Sequence, residues 1–318
     1  MKSSRRGFLK QSAFIGAGSL LLQNLFAEKA IAATAPLLAP QRKRILRVAH
    51  LTDIHVKPEL ISETGFSKAL HAVNDLKDKP DFIINGGDAI MNSVLATKEL
   101  VKKQWHSFHT ILNNENSLPI YHCIGNHDVF GWLTPSITND KGKNWAKDEL
   151  GLNQSYYSLN KGNWKIIVLD SIHPRNTIPG YVAKLDEAQM DWLKNELSTS
   201  TNQYVCVVSH IPILSICSFF DGSTAHHNKM NVSDNCMHSD ATFLKNLFYQ
   251  YPNVKTCLSG HIHLVDQLEY LGINYYCNGA VCGSWWEGNY KEFAPAFAVM
   301  NLYSDGTSER ELHYYNWQ

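Results

Sequence analysis

Short, mostly apolar runs alternate along this chain with longer stretches in which apolar residues recur at helical spacing. Residues 45–51, 119–124, 164–169, 204–208 and 254–258 read as strands, and 82–84 as a short buried one. Between them, residues 66–76 place Phe66, Leu70, Val73 and Leu76 on one side of a helix, and residues 95–112 and 185–197 are further amphipathic helices. From Gln267 onward the pattern changes. Residues 267–270, 273–277, 296–302 and 312–315 read as consecutive strands joined by glycine turns. Strand–helix alternation followed by a run of strands predicts packed sheets with helices outside them.

The first 35 residues do not belong to this pattern. Ser4-Arg5-Arg6-Gly7-Phe8-Leu9-Lys10 leads into an apolar run from Ala13 to Ala27 and then small residues around Ala30–Ala35. A charged start, a short apolar middle and a small-residue end make a secretory leader. The run carries Gly16, Gly18, Gln23 and Asn24 and falls short of the ~20 apolar residues of a membrane span. The arginine pair resembles a twin-arginine export signal. The expected plan is therefore a leader at 1–35, a linker at 36–44 and one catalytic domain at 45–318. The mature protein is expected to lack a transmembrane segment, to have used the twin-arginine machinery and to be periplasmic or secreted.

Composition narrows the function. Apolar residues are 44% and charged residues 18% of the 318, a globular balance. Lys+Arg and Asp+Glu both number 29, so no basic surplus points to a stable nucleic-acid partner. Of seven cysteines, Cys123, Cys206, Cys257 and Cys277 lie in apolar strands, and Cys217 and Cys236 could staple a loop at 215–240.

The chemistry sits where strands end. The first is followed by Asp53-Ile54-His55, the second by Gly87-Asp88, and the third by Gly125-Asn126-His127-Asp128. The later ones are followed by Ser209-His210 and by Gly260-His261-Ile262-His263. Loops at the carboxyl ends of sheet strands are where open α/β folds place their sites. Carboxylate, imidazole and amide oxygen suit Zn, Fe(II) or Mn. Asp53, His55, Asp88, Asn126, His210, His261 and His263 are more ligands than one tetrahedral ion needs, which suits two divalent ions sharing a carboxylate. Each cluster alone is an ordinary polar turn. All five, in order and on strand ends, are not.

The ordered set D-x-H, G-D, G-N-H-D, H and G-H-x-H resembles the calcineurin-like metallophosphoesterase family. The resemblance runs from Asp53 to His263. It implies a four-layer α/β/β/α sandwich, two mixed sheets flanked by helices, with two divalent metal ions (Mn, Fe or Zn) at one edge. It also implies that Asp53, His55, Asp88 and His263 hold one ion, that Asp88 bridges, and that Asn126, His210 and His261 hold the second. His127 then donates a proton to the leaving group, and Asp128 is expected to orient one of these histidines. The implied activity is hydrolysis of a small phosphomonoester or phosphodiester. Cyclic-nucleotide phosphodiesterase, nuclease and non-catalytic exported binding protein are the alternatives. The G-D-x-V-D-R-G stretch of protein Ser/Thr phosphatases is absent after Asp88, and Met91 stands where purple acid phosphatases carry a metal-binding tyrosine. Trp285 and Trp286 fit a hydrophobic cap and a pocket wall equally well.

Overall fold

Odd and even positions along the strands point into different apolar layers, and this sorting builds the sandwich. The computed structural model describes residues 42–132, 139–175, 179–221, 223–226 and 229–317. The expected leader lies outside the described residues.

Fifteen strands occur in chain order among the described residues. The first three are β1 (Arg44–Leu51), β2 (Phe82–Asn85) and β3 (Ile120–His122). Next come β4 (Tyr157–Lys161), β5 (Trp164–Val168), and the short hairpin β6 (Ile172–Pro174) with β7 (Tyr181–Ala183). β8 (Tyr204–Val208) precedes a second hairpin, β9 (Ser223–His226) with β10 (Lys229–Val232). The chain closes with β11 (Val254–Ser259), β12 (Val265–Tyr270), β13 (Ile273–Asn278), β14 (Ala296–Tyr303) and β15 (Ser308–Tyr314). The helices are α1 (Leu60–Asn74), α2 (Lys98–Glu115), α3 (Asn139–Glu149), α4 (Glu187–Ser198), α5 (Ser218–Asp221) and α6 (Ala241–Tyr249).

One sheet has the order β15-β14-β1-β2-β3 and the other β12-β13-β11-β8-β5-β4. β1, β2 and β3 are parallel, as are β5, β8, β11 and β13, with antiparallel strands completing both sheets. Parallel neighbours need crossovers; α1, α2, α4 and α6 supply those from β1 to β2, β2 to β3, β5 to β8 and β8 to β11, while β12 leads from β11 to β13.

Leu46 and Val48, Phe82 and Ile84, and Ala298 and Met300 share one cluster with Trp164, Ile166, Val168, Cys206 and Val208 of the opposite sheet. The alternate positions Ala49, Leu51 and Ile83 pack against Phe66 and Leu70 of α1 and Trp105 and Phe108 of α2. Ile167, Val205 and Val207 meet Leu193 and Leu197 of α4 and Leu244 and Phe248 of α6. The result is the α/β/β/α sandwich. Each fully buried apolar side chain contributes roughly 1.5–3 kcal/mol, and a one-residue slip would exchange the two faces.

Three boundaries differ from expectation. Arg44, assigned to the linker, is the first residue of β1, paired with Tyr303. The second helix begins at Lys98 rather than residue 95, because Thr97 Oγ1 accepts from Leu100 N at 3.3 Å and caps it. α1 starts earlier than expected, at Leu60, with Leu60 and Ile61 exposed. All seven cysteines are free thiols. The Cys217–Cys236 staple that the sequence left open is not formed: Cys217 turns toward β12, with Sγ 3.8 Å from Val265 O, while Cys236 faces the cavity described below. No helix among the described residues is long and apolar enough to cross a membrane.

Candidate metal centre

The C-terminal ends of β1, β2, β3, β8 and β11 point the same way, so the loops that follow them meet at one edge of the sandwich. Tight backbone turns bring their side chains together. Five of the nine non-glycine residues with positive φ among the described residues are Asp53 (55°), His55 (49°), Asp88 (55°), His261 (71°) and His263 (55°). A left-handed backbone costs a side-chain-bearing residue roughly 1–2 kcal/mol, so it persists only where the surroundings enforce it. Gly125 and Gly260 allow the closest approaches. A Cβ on the first would overlap the Asp88 carboxylate, and one on the second would overlap Thr52 and Asp53.

The structure brings all seven sequence-predicted ligands into one buried cluster. Asp88 Oδ2 lies 3.5 Å from His55 Nε2 and 3.3 Å from His210 Nε2. Asp53 Oδ1 lies 3.4 Å from His263 Nε2, and the Nε2 atoms of His55 and His263 are 3.1 Å apart. Asn126 Oδ1 is 3.2 Å from His210 Nε2. His261 Nδ1 is buried without a hydrogen-bond partner among the described residues. On three of the four ligand histidines the remote nitrogen is already committed. His210 Nδ1 donates to Gly86 O at 2.9 Å, His261 Nε2 to Asn235 O at 2.7 Å and His263 Nδ1 to Gly283 O at 2.7 Å. Such bonds fix the tautomer and leave the other nitrogen as a lone-pair donor. Ligands each ~2.0–2.2 Å from a common ion stand about as far apart as these atoms do. The donor set therefore fits divalent metal.

Electrostatics point the same way for His55 and His261. Burial and the neighbouring His127 push His55 down to about 3, and burial with His210 pushes His261 down to about 4. Both imidazoles are thus neutral near pH 7, the form that ligates metal. Burial by itself would raise Asp53 and Asp88, but His263 and His210 outweigh it and hold both carboxylates below their usual range. Reciprocally, burial lowers His210, yet the Asp88 charge and hydrogen bond carry it to about 9.

Two predicted residues take different places. The His127 ring stands edge-on to His55 at 4.6 Å, with Nδ1 donating to Met91 O at 2.5 Å, and its backbone N–H donates to Asp88 Oδ1 at 2.7 Å. Asp128 was expected to orient a histidine and does not. Its carboxylate accepts from the backbone N–H groups of Asp88 (3.0 Å), Ala89 (2.8 Å), Ile90 (3.3 Å) and Gly125 (2.8 Å). It clamps the loop after β2 to the loop after β3, an arrangement that four obligatory buried donors require.

Above the cluster is a cavity of about 200 Å³ whose walls include Tyr181, Asn235, Cys236, Trp285 and Tyr290. Sequence reasoning missed Tyr181, which opens β7, and Asn235 and Tyr290, which sit on loops; none belongs to a motif. His238, read as an ordinary loop histidine, is buried. It joins Ser209 Oγ (3.0 Å) to Asp240 Oδ1 (2.9 Å) and so anchors the stretch that carries Asn235. The paired tryptophans divide their roles. Trp286 is buried and donates from Nε1 to His55 O at 2.9 Å, whereas Trp285 lines the cavity.

Comparison with known proteins agrees with this geometry. Residues 46–265 match the model of the calcineurin-like phosphoesterase family. The chain is 27% identical over 276 residues to a 3',5'-cyclic-nucleotide phosphodiesterase of Nostoc sp., covering 82% of this chain and 90% of that protein. It is 23% identical to the 3',5'-cyclic adenosine monophosphate phosphodiesterase CpdA of Escherichia coli, covering 88% and 92%. Among solved structures, a dimetal phosphatase from Danio rerio superposes with a TM-score of 0.60 at 13% identity, covering 86% of this chain and all (100%) of that one. A family match over most of the chain, joined to a buried cluster of the matching donors, means that this chain belongs to the calcineurin-like phosphoesterase family and is a metal-dependent phosphoric ester hydrolase.

Proposed function

We propose that Asp53, His55, Asp88 and His263 hold one divalent ion, that Asp88, Asn126, His210 and His261 hold a second, and that the pair serves hydrolysis of a small phosphate ester. One observation carries the two-ion reading. A single oxygen, Asp88 Oδ2, lies 3.5 Å from His55 Nε2 and 3.3 Å from His210 Nε2, so one carboxylate serves two imidazoles of separate ligand groups. When bound, Mn, Fe or Zn ions would supply an activated water at neutral pH and offset charge on the phosphoryl oxygens.

The chain's own residues supply position and a proton. His127 Nδ1–H is committed to the Met91 carbonyl, so Nε2 is the nitrogen left to hold a proton for the departing oxygen. The N–H groups gathered by Asp128 fix the loop that carries Asp88 against the loop that carries Asn126 and His127. The names of the Nostoc and Escherichia relatives favour a phosphodiester, including a cyclic nucleotide. The balanced charge disfavours a long nucleic acid.

The test is turnover of p-nitrophenyl phosphate and its bis ester by purified protein loaded with Mn, Fe or Zn. His127→Ala should lower kcat ~10²–10⁴-fold, the usual worth of a positioned acid, and Asp88→Ala should abolish turnover. Unchanged turnover in both variants ends the proposal. The Arg5–Arg6 pair supports export by the twin-arginine route. Cell fractionation after replacing both by lysine tests this, and unaltered export would refute it.

A further inference from the structure

We infer that Trp285 and Tyr290 form an aromatic wall that selects singly charged phosphodiesters carrying a planar ring, such as a nucleoside, over small alkyl esters. The inference rests on the hydrolytic reading above and names the substrate class of that same site.

The backbone carries an unusual turn. Trp285 (φ 49°) and Trp286 (φ 71°) are both left-handed, and each such residue costs roughly 1–2 kcal/mol. The turn is closed by Ser284 N–H to Gly288 O at 2.9 Å and Trp286 N–H to Cys282 O at 3.0 Å. Burial of Trp286, 2% exposed, against Trp317 and its bond to His55 O hold the turn down. The strain has one visible product. It turns the neighbouring indole the other way, so that Trp285 stays 37% exposed at the cavity.

That indole is placed for contact with an ester group. Its ring lies 4.6 Å from His263 and 6.2 Å from His55, beside the atoms that would flank a bound phosphoryl group. Tyr290 meets it edge-on at 5.4 Å and lies 5.5 Å from His263. Reciprocal backbone bonds between Tyr290 and Phe293, at 2.8 and 3.0 Å, fix that second ring. Exposed, rigid aromatic rings beside a polar centre stack on planar groups of any sequence or substitution.

Charge narrows the class further. Among the described residues lining the cavity there is no lysine or arginine. Charge on a phosphate there would be offset by bound metal and by the proton held on His127, a modest supply that suits the single charge of a diester.

The test uses full-length, metal-loaded enzyme with thymidine 5'-(p-nitrophenyl phosphate) and methyl p-nitrophenyl phosphate. Both carry one negative charge and release the same p-nitrophenolate, so only the retained group differs. Wild type should prefer the nucleoside ester in kcat/KM. Trp285→Ala should lower kcat/KM for the nucleoside ester about tenfold more than for the methyl ester, given stacking worth ~1–3 kcal/mol per base. Trp285→Phe should keep most of the preference. Equal losses on both esters, or an unchanged ratio, would overturn the inference. Failure of wild type to hydrolyse either ester would instead remove the hydrolytic reading beneath it.

Discussion

Asp128→Ala removes one carboxylate and leaves four buried backbone donors without an acceptor. Oδ1 receives Ala89 and Ile90, and Oδ2 receives Asp88 and Gly125. At about 1 kcal/mol for each net bond, the typical worth of an intramolecular hydrogen bond, the expected loss is about 4 kcal/mol. That is a large part of the ~5–15 kcal/mol that typically separates folded from unfolded protein. Asp128→Asn keeps one oxygen but turns an amide N–H₂ toward the other pair of donors, so its loss should be smaller, about 2 kcal/mol or more. Urea unfolding of the metal-loaded protein reads both values. Activity should fall more steeply than stability, because misplacing the Asp88 loop by ~1 Å is enough to cost ~10²-fold in rate. If Asp128→Ala unfolds within about 0.5 kcal/mol of wild type, the range of an ordinary surface substitution, the clamp is wrong.

Two further substitutions probe the frame. Gly65→Ala would normally strengthen a helix by about 1 kcal/mol, but a methyl built there lies 2.6 Å from Trp286 Cε3, and overpacking costs ~1–3 kcal/mol. Thermal melting should therefore show a lower Tm, and a higher one would contradict the packing. The Arg47 hydrogen bond holds the Glu311 carboxylate down to about 2, from an ordinary 4.5. Its stabilisation is complete above pH 4.5 and fades as pH falls toward 2. The side chain is 43% exposed, so screening keeps the effect small. Glu311→Gln should flatten the acid limb of stability measured by denaturant midpoint. A wild-type-minus-variant difference that stays constant as pH falls below 4.5 would rule it out.

The parallel core was legible because its strands bury both faces. Residues 82–84 and 204–208 are apolar without interruption, and both became central strands. The edge strand β4, with sequence YSLNK, was missed because it is mostly half-exposed and carries polar residues between its apolar ones. Helix α3, with sequence NDKGKNWAKDE, contributes only Ala146 to the core cluster directly, so it has almost no apolar stripe to read. α6 and the hairpin β9–β10 follow a polar loop whose pairing depends on residues distant in sequence, such as Ser209 with His238. The seven donors were visible as motifs because their residue types are unusual on strand ends. The cavity walls were not, because Tyr181 opens a short hairpin strand and Asn235 and Tyr290 come from two separate loops, each ordinary in composition. Asp128 shows the other limit. Its place beside His127 suggested a histidine partner, whereas the buried N–H groups of Asp88 to Ile90 had the stronger need for an acceptor.

Anomalous diffraction from manganese-soaked crystals tests the central claim most directly. Two peaks should appear, one among Asp53, His55, Asp88 and His263 and one among Asp88, Asn126, His210 and His261, and Asp88→Ala should weaken both. A single peak, or density away from Asp88, would contradict a shared carboxylate joining two ions.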